Sequence, residues 1–431
     1  MPRGMSRGAW RMILLASLGG TLEYYDFVIF GIFAPQIGRA FFPSQDPLVS
    51  LMVTFTTFAI GYLARPIGGL VLGRLGDKFG RRGVFLASIF VTSAATLGIG
   101  LVPTYASWGI AASIIVVLLR LTQGFCLGGE LPGAITYVVE SAPPMAPFVC
   151  SVVFGCVTLG VALGTTIALI VGNVLTPADA AVYGWRIAFV IGGLMGLASF
   201  WLRRSFEESP EFAELKRLER ASKEPIGELV RTHPWQIFVG IAAQAVTAVF
   251  AGLFFAYMPA YLTAVSKYDA STAIYAQTYG VVLHAALIVL VGWLADHYPA
   301  HLLLRLGAIV LAIGAYPFYA ALSAHSMNII VLMTIAALAG AFVNGTFAFV
   351  TADLFPTRIR FSGVAVVQNI SQTAFGGTAP LIATALVRDL QSPVAPALVV
   401  IACGALTFAG SFAAARQSGK VRVRTEAAAL P

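Results

Sequence analysis

Charged side chains are scarce in this chain: only 11% of its 431 residues are Asp, Glu, Lys or Arg, while 58% are hydrophobic. An ordinary soluble domain carries about 25% charged residues. The composition therefore excludes an ordinary soluble domain and indicates an integral membrane protein.

Cysteine is also scarce, and no familiar catalytic or nucleotide-binding pattern occurs. The chain has no P-loop, no zinc motif and no nucleophile–base pair. We therefore expect no cofactor, no bound metal, no ATP-driven transport and no enzyme activity. The four cysteines lie in apolar stretches without disulfide or metal-ligand spacing, which favours buried thiols; they are Cys126, Cys150, Cys156 and Cys403.

Long apolar runs, in contrast, are abundant. A helix needs about 20 apolar residues to cross the hydrocarbon core of a membrane, and twelve such stretches occur. They are 13–35, 49–72, 83–103, 108–137, 148–172, 185–202, 235–262, 272–294, 302–323, 327–350, 361–387 and 394–415. The first follows three arginines, as in a signal peptide, but it is too long and contains two acids, so we interpret it as a retained helix.

Basic residues favour one side of the membrane. If both termini are cytoplasmic, most of the 27 Lys and Arg residues lie in cytoplasmic segments. This bias predicts a multi-pass protein of the plasma (inner) membrane with both termini in the cytoplasm. A basic face toward anionic lipid accounts for the net charge of +8. Membrane lipid is therefore an expected partner, and nucleic acid is not.

The chain divides into two similar halves. A charged segment, 203–234, separates an N-terminal half, 1–202, from a C-terminal half, 235–431, which ends in a short cytoplasmic tail. "GRLGD" at 73–77 matches "GWLAD" at 292–296, and "ESAP" at 140–143 matches "DLFP" at 353–356. Such repeats predict an all-α membrane protein with twelve transmembrane helices in two pseudo-symmetric six-helix bundles.

Several motifs resemble those of a known family. "GRLGDKFGRR", 73–82, resembles the loop signature of the major facilitator superfamily. Further stretches resemble those of the metabolite:proton symporter branch of this family: "LEYYDF", "FFPS", "ARPIGG", "RLTQGFCLGGE", "YGWRIAF", "FEESPEF", "LFPTRIRFSG" and "FGGTAP". The resemblance implies the major facilitator fold and import of small organic acids or zwitterionic osmolytes with protons. "GWLADHYPAHLLLR" lacks the second Gly-Arg-Arg of the family pattern, and no long C-terminal coiled coil is present, which counts against an osmosensor.

The loop signature provides a candidate conformational latch. Physically, a carboxylate between glycines can cap the N-terminus of a neighbouring helix. The resemblance implies that this latch stabilises the outward-facing state; its basic residues also set topology. The latch residues are Gly73, Asp77, Gly80, Arg81 and Arg82.

Few ionisable groups lie inside the predicted helices. Glu23 and Asp26 are three residues apart and share a helix face. Arg120, Gln123 and Glu130 are predicted to form one stripe on the fourth helix. The carboxylates of Glu23, Asp26 and Glu130 and the guanidinium groups of Arg65 and Arg120 together carry a formal charge of −1. One bound proton would neutralise this set. We therefore predict proton coupling at Asp26, Glu23 and Glu130. The resemblance of "RLTQG" to the fourth-helix motif of the family implies that Arg120 takes part in proton transfer, and a structural ion pair of Arg120 with Glu130 or Asp26 is the alternative.

The same region predicts the substrate site. An anionic substrate near an arginine would weaken its hold on the carboxylates and favour proton uptake. In the second half the candidate lining is uncharged and aromatic, although packing is an alternative for each residue. The predicted substrate-binding residues are Arg65, Arg120, Tyr24, Gln123, Tyr257, Tyr261, Gln368 and Asn369.

We therefore expect a proton-coupled symporter, functional as a monomer, that imports a small organic anion such as a di- or tricarboxylate by alternating access. The alternative within the class is proton symport of a zwitterionic osmolyte such as proline or betaine. The alternative from a different functional class is a facilitative channel or a membrane enzyme, and transport would then not respond to an imposed pH gradient.

Overall fold

The structure is a computed structural model that describes residues 7–79, 81–128, 130–142, 145–204, 229 and 231–428. Side chains are described in these ranges except at 7–16, 18, 19, 23, 73, 74, 76–79, 81, 82, 84, 85, 130, 141, 202–204, 358 and 418–428. Most of the predicted linker, 203–234, lies outside the described residues, and the division at its two ends stays a prediction.

Twelve long helical segments follow one another along the chain. They are α1 (Arg7–Ile32), α2 (Pro47–Phe79), α3 (Arg81–Leu101), α4 (Ile110–Glu140), α5 (Ala146–Val174), α6 (Pro177–Trp201), α7 (Pro234–Val265), α8 (Ala270–Ala295), α9 (Ala300–Ala324), α10 (Ile329–Ala352), α11 (Arg360–Leu390) and α12 (Pro396–Ala428). Among the described residues, ten helices are long and apolar enough to cross a membrane, and Leu86–Leu101 within α3 is a shorter apolar helix. The twelve predicted stretches correspond to these segments.

Polar residues between the helices explain several helix ends. Asp269 caps α8 by accepting hydrogen bonds from the backbone N–H groups of Ser271 (3.0 Å) and Thr272 (3.2 Å). Asn328 caps α10 in the same way through the N–H of Ile330 (2.8 Å). Both side chains satisfy N–H groups that have no partner within the helix.

Close backbone contact joins α2 to α4. A Cβ atom at Gly124 would overlap the carbonyl oxygen of Gly61, and one at Gly68 would overlap that of Phe125. Small residues at such positions let two membrane helices approach without intervening side chains. The contact brings Arg65 of α2 beside Arg120 of α4, so it positions the site described below.

Helix α4 is interrupted in the middle. Its first part, Ile110–Cys126, ends before Gly128, and its second part begins at Glu130. The carbonyl oxygen of Gly128 accepts a hydrogen bond from Asn369 Nδ2 of α11 (2.8 Å). The helix is thus interrupted between Gln123 and Glu130; because the side chain of Glu130 is not described, the stripe of Arg120, Gln123 and Glu130 stays a prediction.

The two halves meet along several helix pairs. Gly31 of α1 lies against Ala256 of α7, and Gly155 of α5 lies against Ala285 of α8. The cores of the two halves are joined by aromatic contacts such as Phe154 with Phe347, whose ring centroids are 4.8 Å apart. The interface is thus a packed surface with small residues at its closest approaches.

Among the described side chains, those of Glu140 and Asp296 contact the other half on the predicted cytoplasmic side. Arg360 Nη1 of α11 lies 3.1 Å from Glu140 Oε1 of α4. Asp296, just after α8, accepts a 3.1 Å hydrogen bond from the backbone N–H of Phe148 in the first turn of α5. A carboxylate at a helix N-terminus is favoured by the helix dipole. Both contacts must break if the halves separate on this side.

Two helices beside the interface contain π-helical turns. In α7 these are Ala251–Tyr257 and Tyr261–Val265, and in α11 the turn is Gln372–Gly377. A π-helical turn leaves a backbone carbonyl without its usual helical partner and is frequent at functional sites. The carbonyl of Phe254 accepts a hydrogen bond from Gln277 Nε2 of α8.

Candidate functional site

Arg120 is the centre of a polar cluster inside the N-terminal half. The side chain is fully buried. Its Nη1 donates to Gln123 Oε1 (2.9 Å), and Gln123 Nε2 donates to Thr96 Oγ1 of α3 (2.7 Å). Arg120 Nε and Nη2 have no hydrogen-bond partner. Buried donors in folded proteins almost always have a hydrogen-bond partner. The two unpartnered N–H groups of Arg120 are therefore candidates to bind an anion.

Asp26 of α1 lies in the same cluster. Its side chain is only 5% exposed and interacts with Thr96 and Arg120. Gly192 of α6 packs against it, since a Cβ atom there would lie 2.7 Å from Asp26 Oδ1. Among the described side chains, no ion pair joins Asp26 to either arginine. A buried carboxylate that is close to an arginine but not paired with it is a suitable group to gain and lose a proton.

Arg65 and Arg120 lie over the same aromatic ring. The guanidinium carbons are 4.4 Å and 4.1 Å, respectively, from the centroid of Phe27. Arg65 also lies 4.5 Å from the ring centroid of Tyr62, and its Nε has no hydrogen-bond partner. Cation–π contact compensates part of the cost of burying a guanidinium but leaves its N–H groups unused. We call Arg65, Phe27 and Arg120 the arginine stack.

The three predicted tyrosines have different environments. Tyr24 packs on Phe154 at the interface between the halves, with ring centroids 6.3 Å apart. The ring of Tyr257 lies 5.5 Å from that of Phe55 in α2, and its buried hydroxyl lies beside Thr384 of α11. Tyr261 donates its hydroxyl to the carbonyl of Pro393 (2.8 Å). Tyr257 therefore contacts the N-terminal half through its ring, whereas the hydroxyl of Tyr261 is held within the C-terminal half.

Several polar residues of α11 are buried in the C-terminal half. Gln368 is 3% exposed, and neither atom of its amide has a partner. Ser371 Oγ and Gln372 Oε1 are also buried and unpartnered. Asn369, in contrast, is occupied by its bond to the carbonyl of Gly128. Gln368 thus remains a candidate for substrate binding, and Asn369 holds α11 against α4.

Several predicted groups lie outside the described residues. The side chains of Glu23 and Glu130 are not described, nor are those of the latch residues; Gly80 lies outside the described residues altogether. The backbone of α2 continues to Phe79 and that of α3 begins at Arg81. The roles assigned to these groups stay predictions.

His284 of α8 has a structural environment. Its Nδ1 lies 2.8 Å from the carbonyl of Ala337, and its Nε2 lies 3.0 Å from Asn344 Nδ2. A carbonyl can only accept and an amide nitrogen can only donate, so the ring carries its proton on Nδ1. With both nitrogens occupied, His284 is a neutral packing residue.

The sequence did not identify three residues that the structure places in the cluster. Thr96 interacts with both Gln123 and Asp26, the ring of Phe27 contacts both arginines, and Gly192 leaves room for the carboxylate. A threonine, a phenylalanine and a glycine are common in membrane helices, and nothing in their spacing marks them. Only the packing of α1 with α3, α4 and α6 reveals their position.

An apolar groove lies on a different face of the molecule. Its volume is about 750 Å³, and residues of α2, α3 and α4 line it. Leu63 and Ile67 on its wall are more than half exposed. None of the arginine-stack residues lines this exposed groove, so it is separate from the cluster around the arginine stack.

Comparisons with known proteins agree with this architecture. A family model described as Major Facilitator Superfamily matches residues 16–380. The proline/betaine transporter of Escherichia coli strain K12 is 31% identical over 420 residues, which cover 92% of this chain and 82% of that protein. The proline/betaine transporter of Salmonella typhimurium is 31% identical over 414 residues, covering 91% of this chain and 81% of that protein.

Solved structures show the same fold. A partially occluded inward-open conformation of the xylose transporter from E. coli has a TM-score of 0.73 and 17% identity, and covers 94% of this chain and 97% of that one. A bacterial homologue of the human lysosomal transporter Spinster has a TM-score of 0.61 and 17% identity, and covers 98% of both chains. The predicted fold of twelve transmembrane helices in two six-helix bundles is confirmed.

Proposed function

The chain belongs to the major facilitator superfamily, and from this premise we propose that it is a proton-coupled symporter of a zwitterionic osmolyte such as proline or betaine. The observation that carries the proposal is the arginine stack: two buried guanidinium groups with unpartnered donors lie beside a buried carboxylate and a group of aromatic rings. The names of the two enteric relatives favour a zwitterion over the organic anion expected first.

The stack and its surroundings fit both ends of such a substrate. A guanidinium binds a carboxylate through charge-assisted hydrogen bonds. Beyond Arg65, the rings of Phe58, Tyr62 and Phe55 lie in edge contact, and Tyr257 of the other half packs on Phe55. Aromatic faces attract substituted ammonium groups. A small zwitterion could therefore place its carboxylate at the arginines and its cationic nitrogen at the rings.

Asp26 is the proposed coupling group of this site. Arg120 stabilises the ionised carboxylate. When a substrate carboxylate binds Arg120, this stabilisation weakens and Asp26 takes up a proton more readily. Substrate and proton therefore favour each other's binding, and rocking of the two bundles about the site moves them together.

Transport in proteoliposomes tests this function. Labelled proline and glycine betaine are supplied outside, with an inward proton gradient. We expect accumulation above the external concentration, and collapse when a protonophore is added. Accumulation that follows a sodium gradient and ignores pH would contradict proton coupling. Uptake that only equilibrates would favour a facilitative channel.

A small organic anion is the second candidate substrate. Two neighbouring guanidinium groups can bind two carboxylate groups, as in a dicarboxylate. The same proteoliposomes with labelled succinate and citrate separate the candidates. Accumulation of these acids without accumulation of proline or betaine would favour the organic anion.

The remaining sequence-based expectations are part of the proposal. We place the protein in the plasma membrane with both termini in the cytoplasm, because of the distribution of basic residues. We expect it to act as a monomer surrounded by lipid and to catalyse no chemical reaction.

A further inference from the structure

Arg120 fixes the direction of a hydrogen-bond chain that ends beside Asp26. A guanidinium group can only donate, so the amide oxygen of Gln123 is the atom that lies 2.9 Å from Arg120 Nη1. The NH₂ group of the same amide then lies 2.7 Å from Thr96 Oγ1 and can only donate to it. All three side chains are buried. The chain therefore runs in one direction, from Arg120 through Gln123 to Thr96.

Thr96 donates its hydroxyl hydrogen along its own helix, α3. A threonine hydroxyl has one hydrogen and two lone pairs. The amide of Gln123 occupies one lone pair, and the hydrogen is donated to the carbonyl of Thr92, 2.9 Å away. That carbonyl is also the helical acceptor for the backbone N–H of Thr96, so it keeps a partner if the hydroxyl turns away. The second lone pair is therefore available to a neighbouring donor, and the hydrogen can be redirected.

The carboxyl group of Asp26 lies beside this hydroxyl. It interacts with Thr96 and is buried. Helix α6 packs against both sides of the contact: a Cβ atom at Gly192 would lie 2.7 Å from Asp26 Oδ1, and one at Gly193 would lie 2.8 Å from the backbone nitrogen of Leu97, next to Thr96. The close approach of α6 to both α1 and α3 holds the carboxyl group and the hydroxyl in one place.

We propose that Thr96 is a hydrogen-bond switch for the proton of Asp26. When Asp26 is ionised, Thr96 donates its hydrogen to the carboxylate. When Asp26 is protonated, the carboxyl group donates to the second lone pair of Thr96, and Thr96 donates to the carbonyl of Thr92. Rotation of the hydroxyl thus gives the carboxyl group a partner in both protonation states, while Gln123 stays bound. This inference rests on the coupling role proposed above for Asp26.

The charged surroundings of Asp26 are the same in both arrangements. Helices α5 and α7, which also pack on α1, contain no Asp, Glu, Lys or Arg. The side chains of Glu23 and Glu130 are not described. Among the described side chains, the charged or titratable neighbours are Arg120, Arg65 beside it, and Tyr25. The arginines act on Asp26 whichever way the hydroxyl points, so the bond to Thr96 is the one that must reverse.

Thr96→Val tests the switch, because it removes the hydroxyl and keeps the shape of the side chain. Infrared spectroscopy follows the carboxyl band of Asp26 against pH, and each protein is compared with the same protein carrying Asp26→Asn. We expect the midpoint of protonation to rise by about one pH unit, since the bond lost from the ionised form is stronger than the bond lost from the neutral form. Loss of the bond from Gln123 affects both forms and does not move the midpoint.

Two further variants separate the switch from a merely structural role. Thr96→Ser keeps the hydroxyl and should restore the wild-type midpoint. The matched control is Thr351→Val in α10: that buried hydroxyl also donates to the carbonyl four residues earlier, of Phe347 (2.8 Å), and also accepts from a glutamine, Gln244 Nε2 (2.7 Å). It should leave the midpoint unchanged. If Thr96→Val does not elute as a monodisperse species from a size-exclusion column, Thr96→Ala removes the same hydroxyl and is judged in the same way.

The infrared measurement needs no substrate, so its result is separate from that of the uptake assay. A midpoint that rises in Thr96→Val, returns in Thr96→Ser and stays unchanged in Thr351→Val supports the switch, even if proline and betaine are not transported. A midpoint that stays or falls in folded Thr96→Val protein, that Thr96→Ser does not restore or that Thr351→Val moves equally overturns it. A band of Asp26 that does not titrate in the wild-type protein also overturns it, because no change of protonation would then need a switch.

Discussion

Asp26 and Arg120 are the two residues whose chemistry the cluster depends on most. Both are buried, and Gln123 and Thr96 hold Arg120 by a chain of hydrogen bonds rather than by an ion pair. A carboxylate paired tightly with an arginine would stay ionised throughout the transport cycle. In the proposed mechanism, the absence of an ion pair between the two would leave the proton affinity of Asp26 responsive to an anion that binds Arg120.

Asp26→Asn tests this role. We expect loss of proton-driven accumulation with substrate exchange retained, because a neutral amide resembles the protonated acid in size and polarity. Equilibrium exchange, net uptake and folded yield are measured on the same protein. Well-folded variant protein that still accumulates substrate with unchanged pH dependence would contradict a coupling role.

Arg65→Lys tests the role of the arginine stack in binding the substrate. Lysine keeps the positive charge but lacks the planar fork that binds a carboxylate through two hydrogen bonds. We expect the apparent affinity for substrate to fall about tenfold or more, since a charge-assisted bond contributes about 1.5–3 kcal/mol. The control is Arg305→Lys in the C-terminal half. The guanidinium of Arg305 lies 3.4 Å from the ring centroid of Phe412, which belongs to the same half. Similar losses in both variants would show a general effect of replacing a stacked arginine.

At the scale of elements, the backbone contact between α2 and α4 decides where the arginines lie. The sequence predicted both helices, both arginines and Gln123, because hydropathy and charge are local properties of the chain. It could not predict that Asn369 of a distant helix donates to the carbonyl of Gly128, just after the first part of α4 ends at Cys126. For the same reason the amide groups of Gln368 and Asn369 looked alike in the sequence but have different roles in the structure.

Gly124→Ala tests the contact between these helices. The new methyl group would overlap the carbonyl of Gly61, and we expect a loss of about 1–3 kcal/mol in stability from overpacking. A matched control is Gly172→Ala in α5, where a Cβ atom has no neighbour within 4 Å. Thermal denaturation in detergent measures both. Equal melting temperatures for the two variants would show that α2 and α4 can separate at little cost.

At the scale of the whole molecule, the proposed alternating access depends on contacts between the halves. The pair of Glu140 and Arg360 and the contact of Asp296 with α5 both lie on the predicted cytoplasmic side. A state that opens to the cytoplasm would have to lose both contacts. Under this proposal, their strength would influence the balance between the two orientations of the carrier.

Glu140→Gln is expected to shift this balance toward the state open to the cytoplasm. The change keeps the shape of the side chain but removes the charge that Arg360 binds at 3.1 Å. We expect slower net uptake with little change in substrate affinity, and recovery in the charge-swapped variant Glu140→Arg with Arg360→Glu. The exposed pair Arg388–Asp389 provides a control; its neutralisation by Asp389→Asn should have no effect. A swap that restores no activity would assign the pair another role.

The arginine stack also bears on whether protons can cross the membrane through such a carrier without substrate. Its two cations lie 4.4 Å and 4.1 Å from one ring centroid, and the carboxyl group of Asp26 interacts with Arg120. If a proton bound Asp26 with the site otherwise empty, both cations would be buried without that counter-charge, at a cost of several kcal/mol per ion. That cost disfavours passage of a proton alone across the membrane. The stack would then act as a barrier to futile proton leak, and the pH gradient would be spent only on turnovers that deliver cargo.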